Sequence, residues 1–281
     1  MVITWVISLL LVLFSVALII RILGWTARAG RLVTVEELNP DFRPDRYPAD
    51  LPRIQWLGHS SYRVDWEGET VLLDPVLAGS VSIAPRLCEV PDKSVLDGVN
   101  HILVSHGHMD HLDNGTLECV ASCDLYLPRK SERFLSKKVK LRHQVHTFGL
   151  MEPIQLGCLL VTPVPARHGG WRYPWQKGYF ACGFVVSNGK TSLYYAGDTA
   201  WGTHFADIGK QFAPAISIIP IGGYSPRWFL KSRHLNPEEA VKAIGLLGSR
   251  WNLPAHFGTY RVSLEAVDQP LQRFRQALLN H

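Results

Sequence analysis

Hydrophobic and polar positions divide the chain into three stretches of different rhythm. Residues 2–20 are apolar except for Thr4, Ser8 and Ser15. As a helix rising about 1.5 Å per residue, such a run is long enough to cross a hydrocarbon core of roughly 30 Å. This predicts one N-terminal transmembrane helix, residues 1–22. The competing reading is a cleaved signal peptide with Ala27-Arg28-Ala29 as its site, but no basic residue precedes the run, and the run exceeds the usual length of about 7–15 residues. Arg21, Arg28 and Arg31 follow the run, so the positive-inside bias predicts a single-pass membrane protein with its body on the cytoplasmic side. Residues 23–52 carry Pro40, Pro44, Pro48 and Pro52 among charged neighbours, which predicts an extended juxtamembrane linker.

From residue 53 the rhythm changes to short strands. Alternating or continuous apolar runs predict strands at 54–57, 62–66, 70–73, 101–104, 125–127, 159–164, 180–187, 192–195 and 215–219, with Glu67-Gly68-Glu69 as a tight turn. Helical spacing predicts helices at 115–122, 130–137, 203–212, 237–247 and 263–279. Strands grouped early and alternating with helices later predict an α/β domain, residues 53–281, of packed sheets covered by helices.

Composition narrows this picture only slightly. With 281 residues and 47% apolar content the chain can bury a full core. Its net charge of +5 favours anionic partners without choosing among them. Residues 129–142 concentrate basic side chains around one acid, Glu132; this is either a solvated face or a contact for an anionic lipid surface beside the anchor. The anchor, and the lack of an added binding module, argue against nucleic acid. Five cysteines without a Cys-x-x-Cys pair read as reduced core thiols.

The chemistry gathers directly after the strand at 101–104. Ser105-His106-Gly107-His108-Met109-Asp110-His111 places three imidazoles and a carboxylate in six residues, a donor set suited to zinc or a similar borderline metal. Three more candidates, His168, Asp198 and His256, each follow an apolar strand, where function gathers in layered α/β proteins. Seven donors exceed what one tetrahedral ion uses and suit two ions that share a carboxylate, hence a dinuclear hydrolytic site. His59 and Asp74 sit at strand ends and are candidates for orienting the ligands. His234 precedes Asn236-Pro237-Glu238-Glu239, a helix-start signature. Trp171, Tyr173 and Trp175 follow His168 with unusual aromatic density, and with Tyr224 and Trp228 they are expected to line a substrate pocket or a membrane-facing belt.

The His-x-His-x-Asp-His loop followed by distant His, Asp and His resembles the metallo-β-lactamase superfamily. Within it, Trp56-Leu57-Gly58-His59, Leu73-Asp74-Pro75, Ala196-Gly197-Asp198-Thr199, Pro226-Arg227-Trp228-Phe229, His234-Leu235-Asn236-Pro237-Glu238-Glu239-Ala240 and His256-Phe257-Gly258-Thr259 are similar to the N-acylphosphatidylethanolamine-hydrolysing phospholipase D family. The resemblance implies a four-layer αββα sandwich with two Zn2+ at one edge. It implies His106, His108 and His168 on one ion, Asp110, His111 and His256 on the other, and Asp198 as the bridge. It also implies catalytic roles for Asp110, Asp198 and His234, the last facing substrate. The activity so implied is hydrolysis of an N-acylated membrane phospholipid to phosphatidic acid and an N-acylethanolamine. The alternatives are a hydrolase of the same fold acting on nucleic acid or a lactone and, from a different class, a membrane-tethered metal-binding protein without turnover. The N-terminal apolar segment lies outside the family pattern.

Overall fold

The structure is a computed structural model that describes Ser15 and residues 51–280 other than 174. The expected anchor apart from Ser15, and the expected linker apart from Leu51 and Pro52, therefore lie outside the described residues. Among the described residues no helix is long and apolar enough to cross a membrane.

Two six-stranded sheets lie face to face. The first has the order β1 (Arg53–Gly58), β2 (Ser61–Trp66), β3 (Glu69–Leu73), β4 (His101–Leu103), β5 (Asp124–Pro128) and β6 (Gln144–Phe148). The second contains β7 (Ile154–Leu156), β8 (Leu159–Gly169), β9 (Phe180–Ser187), β10 (Ser192–Tyr195), β11 (Ile216–Pro220) and β12 (Trp251–Ala255), again neighbour to neighbour in chain order. In each sheet the pairing starts antiparallel and turns parallel, at β3–β4 in the first and at β10–β11 in the second. Helices follow the parallel strands: α1 (Asn114–Leu117), α2 (Lys137–Arg142), α3 (His204–Phe212), α4 (Arg227–Leu230), α5 (Pro237–Leu247) and α6 (Gln269–Leu279).

Alternation along the strands explains the layering, because successive side chains point to opposite faces. Tyr62, Val64 and Trp66 of β2 meet Phe184 and Val186 of β9 and Leu193 and Tyr195 of β10 in one apolar layer between the sheets. The intervening Val185 and Tyr194 face the other way, onto Phe205 and Ile208 of α3 and Val241 and Ile244 of α5. The first sheet's outer face, with Leu72, Ile102 and Leu125, is covered by Leu117 and Val139 of α1 and α2. The result is helix, sheet, sheet, helix: the expected αββα sandwich. Truncating a fully buried ring such as Phe184 to alanine would cost about 3–5 kcal/mol.

Some local expectations change. The helix expected at 130–137 is a 3-10 turn, Ser131–Phe134, followed by α2, because Ser136 caps a new start by accepting from the Val139 amide at 3.1 Å. The helix expected over 115–122 stops at Leu117, and that over 263–279 begins only at Gln269. Of the cysteines, Cys123 and Cys182 are buried, but Cys119 and Cys158 are exposed, so the expectation of five core thiols is too simple.

Candidate metal centre

The His-rich loop leaves β4 and is shaped by Asp74, the residue after β3. One carboxylate oxygen of Asp74 accepts from the Ser105 amide at 2.6 Å; the other accepts from Ser105 Oγ at 2.5 Å and from the Tyr195 hydroxyl at 2.7 Å, and lies 2.6 Å from His111 Nδ1. From the far side, Arg172 donates to the carbonyls of Gly107 at 2.8 Å and Leu112 at 3.2 Å. Gly107 leaves no room for a side chain, since a Cβ would lie 2.4 Å from the Phe134 ring. The loop is thus held from behind and from the side, with its imidazoles turned to one centre.

The second sheet supplies the opposite wall. His168 ends β8, Asp198 follows β10 and His256 follows β12. Overlapping groups of donor atoms result, each within 4.8 Å: a first of His106, His108, His168 and Asp198, a second of His59, Asp110, His111 and His256, and two smaller ones, Asp198 with His234 and His256, and Asp74 with His106 and His111. Asp198 also approaches the second group, with Oδ1 3.3 Å from His111 Nε2 and Oδ2 3.3 Å from His256 Nε2. The side chains of all seven expected ligands are therefore brought together. His59, expected to orient the ligands, has Nε2 3.2 Å from Asp110 Oδ2 and lies among the donor atoms of the second group. Asp74 is where an orienting carboxylate should be.

The backbone is unusual at this point. His59, Asp74 and His256 have φ of 52°, 42° and 58°, a left-handed conformation that non-glycine residues adopt at a cost of about 1–3 kcal/mol when the surroundings enforce it. The enforcement is visible: the His59 amide donates to Thr259 Oγ1 at 2.6 Å, and its carbonyl accepts from the His256 amide at 3.0 Å.

Electrostatics suits cations. Burial pulls His106, His108 and His168 below the ordinary imidazole range, His168 to about 4, so these rings stay neutral and keep lone pairs for a ligand bond. His111 and His256 go the other way. Burial lowers both, but the Asp198 charge and its neighbouring carboxylates outweigh it, and His256 rises to about 10. His111 Nε2, Asp198 Oδ1 and both nitrogens of His256 are buried without a hydrogen-bond partner. Orphaned donors and acceptors of this kind, converging on one point, fit a bound divalent pair.

The remaining expected residues separate. His234 joins the site, its Nδ1 3.8 Å from Asp198 Oδ2 and its ring 4.9 Å from that of His168. Trp171 also joins, because its carbonyl lies 2.7 Å from His108 Nε2. Tyr173 and Trp175 stack on each other, half exposed and exposed, and Trp228 is exposed on α4. Tyr224 is turned away from the expected pocket wall: its hydroxyl donates to Gln269 of α6 at 2.9 Å and Arg273 lies over its ring. Sequence reasoning did not single out Glu265, whose buried carboxylate accepts from the amides of Gly223, Tyr224 and Ser225 and holds that loop beside His256. No local motif announces it, because its partners lie some 40 residues away.

Comparison with known proteins gives the family of the chain. Residues 69–257 match the model of the beta-lactamase superfamily domain. A metal-dependent hydrolase of Methanopyrus kandleri is 31% identical over 80% of this chain and 90% of its own length. An N-acyl-phosphatidylethanolamine-hydrolyzing phospholipase D of Caenorhabditis elegans is 29% identical over 73% of this chain, which spans 63% of that protein's length. An uncharacterized Mycobacterium tuberculosis protein is 28% identical over 83% of this chain, which again spans only 66% of the longer relative. In structure, an isothiocyanate hydrolase from Delia radicum gut bacteria superposes with a TM-score of 0.64 at 18% identity, over 80% of this chain and 91% of that one, a likeness of fold.

Proposed function

The chain belongs to the beta-lactamase superfamily and is a metal-dependent hydrolase, and from that premise we propose that it is a dinuclear zinc phosphodiesterase acting on N-acylphosphatidylethanolamine-type membrane phospholipids. The observation that carries the reading is the position of Asp198, within reach of both donor groups while His234 stands beside it. A pair of divalent ions, when bound, supplies a hydroxide at neutral pH and neutralises phosphoryl charge. The similarity to the C. elegans phospholipase supports the substrate class.

In this reading the chain's own residues divide the work. His106, His108, His168, Asp110, His111 and His256 would hold the ions, with Asp198 in reach of both donor groups. Asp110 and Asp198 would offset only part of the charge of two divalent ions, so the centre would keep a net positive charge that attracts an anionic ester. Burial holds His234 well below the imidazole range, so it is neutral at pH 7 and offers one N–H. It orients a phosphoryl oxygen through that N–H, while the leaving ethanolamine alkoxide takes up the proton released by the attacking water. Water adds to phosphorus, the phosphorus–oxygen bond to the N-acylethanolamine breaks, and phosphatidic acid remains. The exposed Trp175 and Trp228 support work at a lipid surface, with residues 1–22 as the anchor and the domain beside the cytoplasmic leaflet.

Incubating the purified full chain with a panel of phospholipids, and identifying products by mass, tests this. Phosphatidic acid formed from N-acylated lipid is expected, and Asp198→Asn should abolish it together with bound metal. Turnover of a lactone or nucleic acid with every lipid intact would overturn the substrate assignment.

A further inference from the structure

Arg233 follows α4 and immediately precedes His234. Its guanidinium carbon lies 4.9 Å from the centre of the Phe229 ring and 5.7 Å from that of Trp171. Trp171 in turn stands edge-on to His108, ring centres 6.3 Å apart. The Arg233 carbonyl lies 2.9 Å from His168 Nδ1, so its backbone is tied to one ligand and its side chain to the wall beside another. Other partly buried arginines have oxygen partners: Arg227 reaches Glu239, Arg273 reaches Glu238, and Arg172 reaches two carbonyls. Among the described residues, the Arg233 guanidinium makes no ion pair and no hydrogen bond.

A guanidinium held against aromatic rings keeps its fork of N–H donors free, and that fork matches the oxygens of a phosphate. Two rings also restrict the side chain before any ligand arrives, which reduces the entropy lost on binding. We propose that Arg233 is a specificity-determining residue that receives an anionic phosphate oxygen at the mouth of the metal centre. It selects phosphate esters over neutral substrates. The inference rests on reading the site as a phosphodiesterase. The group it recognises is a phosphate, whether esterified in a lipid or free.

The test reads binding without turnover, so it can fail independently of the lipid assay. The metal-loaded full chain is titrated calorimetrically with dibutyl phosphate and with inorganic phosphate, for wild type, Arg233→Gln and Arg233→Lys, with metal content and melting temperature measured for each. Loss of a charge-assisted hydrogen bond should weaken binding in Arg233→Gln by about ten- to a hundredfold, with Arg233→Lys intermediate and metal content unchanged. Weakening toward the diester alone identifies an esterified phosphate, toward inorganic phosphate alone a free one, and toward both a phosphate from either source. Unchanged affinity of Arg233→Gln for both ligands overturns the proposal. If Arg233→Gln does not fold, the lysine variant decides: wild-type affinity and a wild-type preference between the two ligands overturn it.

Discussion

Asp74 Oδ2 lies 2.6 Å from His111 Nδ1, so a buried carboxylate with no place among the seven expected ligands fixes the ring of one that has. The other nitrogen, Nε2, is thereby turned toward Asp198. Carboxylates behind ligating imidazoles set tautomer and orientation, and their loss typically reduces metal affinity by about 10–100-fold. Asp74→Asn is expected to show a loss of that size, measured by competition against a chromophoric chelator.

Metal removal should destabilise the domain. Each ion present at about a thousand times its dissociation constant contributes about 4 kcal/mol, or roughly 10 °C for a domain of this size. Calorimetry before and after chelation checks this. An unchanged melting temperature would mean that the buried donors do not hold an ion in solution.

Gly222 is needed for the absence of its side chain. A Cβ there would lie 2.1 Å from the His256 carbonyl oxygen, a backbone atom that can move only by displacing the ligand. Gly222→Ala should therefore cost at least about 2 kcal/mol in denaturant unfolding and reduce metal content, whereas Gly189→Ala, which meets nothing within 4 Å but has positive φ, should leave metal content intact.

The α5 cap offers a contrast. Asn236 Oδ1 accepts from the Glu239 amide at 2.8 Å while Glu239 reaches back to the Asn236 amide at 3.2 Å. Asn236→Ala should lower stability by about 1 kcal/mol. Any change in activity should come through His234, two residues upstream, with metal content unaffected.

Thiol chemistry should divide the cysteines. Burial pushes Cys123 up to about 12 and Cys182 also upward, so neither is a thiolate at pH 8. In the native protein a disulfide-exchange reagent is expected to modify exposed Cys119 and Cys158 quickly, Cys88 more slowly, and the buried pair only after unfolding.

The ligand loop was legible because four donors crowd beside an apolar strand, and His168 and Asp198 because each lies at the end of a strand with a strong apolar signal, whereas the strand before His256, Trp251–Ala255, is short and interrupted by Asn252 and Pro254. β6 was not legible: Gln144–Phe148 is mostly exposed, so no apolar run marks it. The helix at 130–137 was misplaced because Lys130 takes a left-handed φ of 76° and Ser136 restarts the chain, effects that composition does not carry. Arg172 and Arg233 were hidden for another reason. Their importance lies in what they touch, and those partners are brought together only by the fold.

The chain passes from the first sheet to the second once, between Phe148 and Ile154. His59, His106, His108, Asp110 and His111 therefore lie on one contiguous fragment, and His168, Asp198 and His256 on the other. A protein cut within residues 149–153 would be a two-piece lock in which one piece carries five of these donors and the other three. Reassociation of the pieces would then become metal-dependent, turning an intramolecular centre into a reporter of how the two sheets recognise each other.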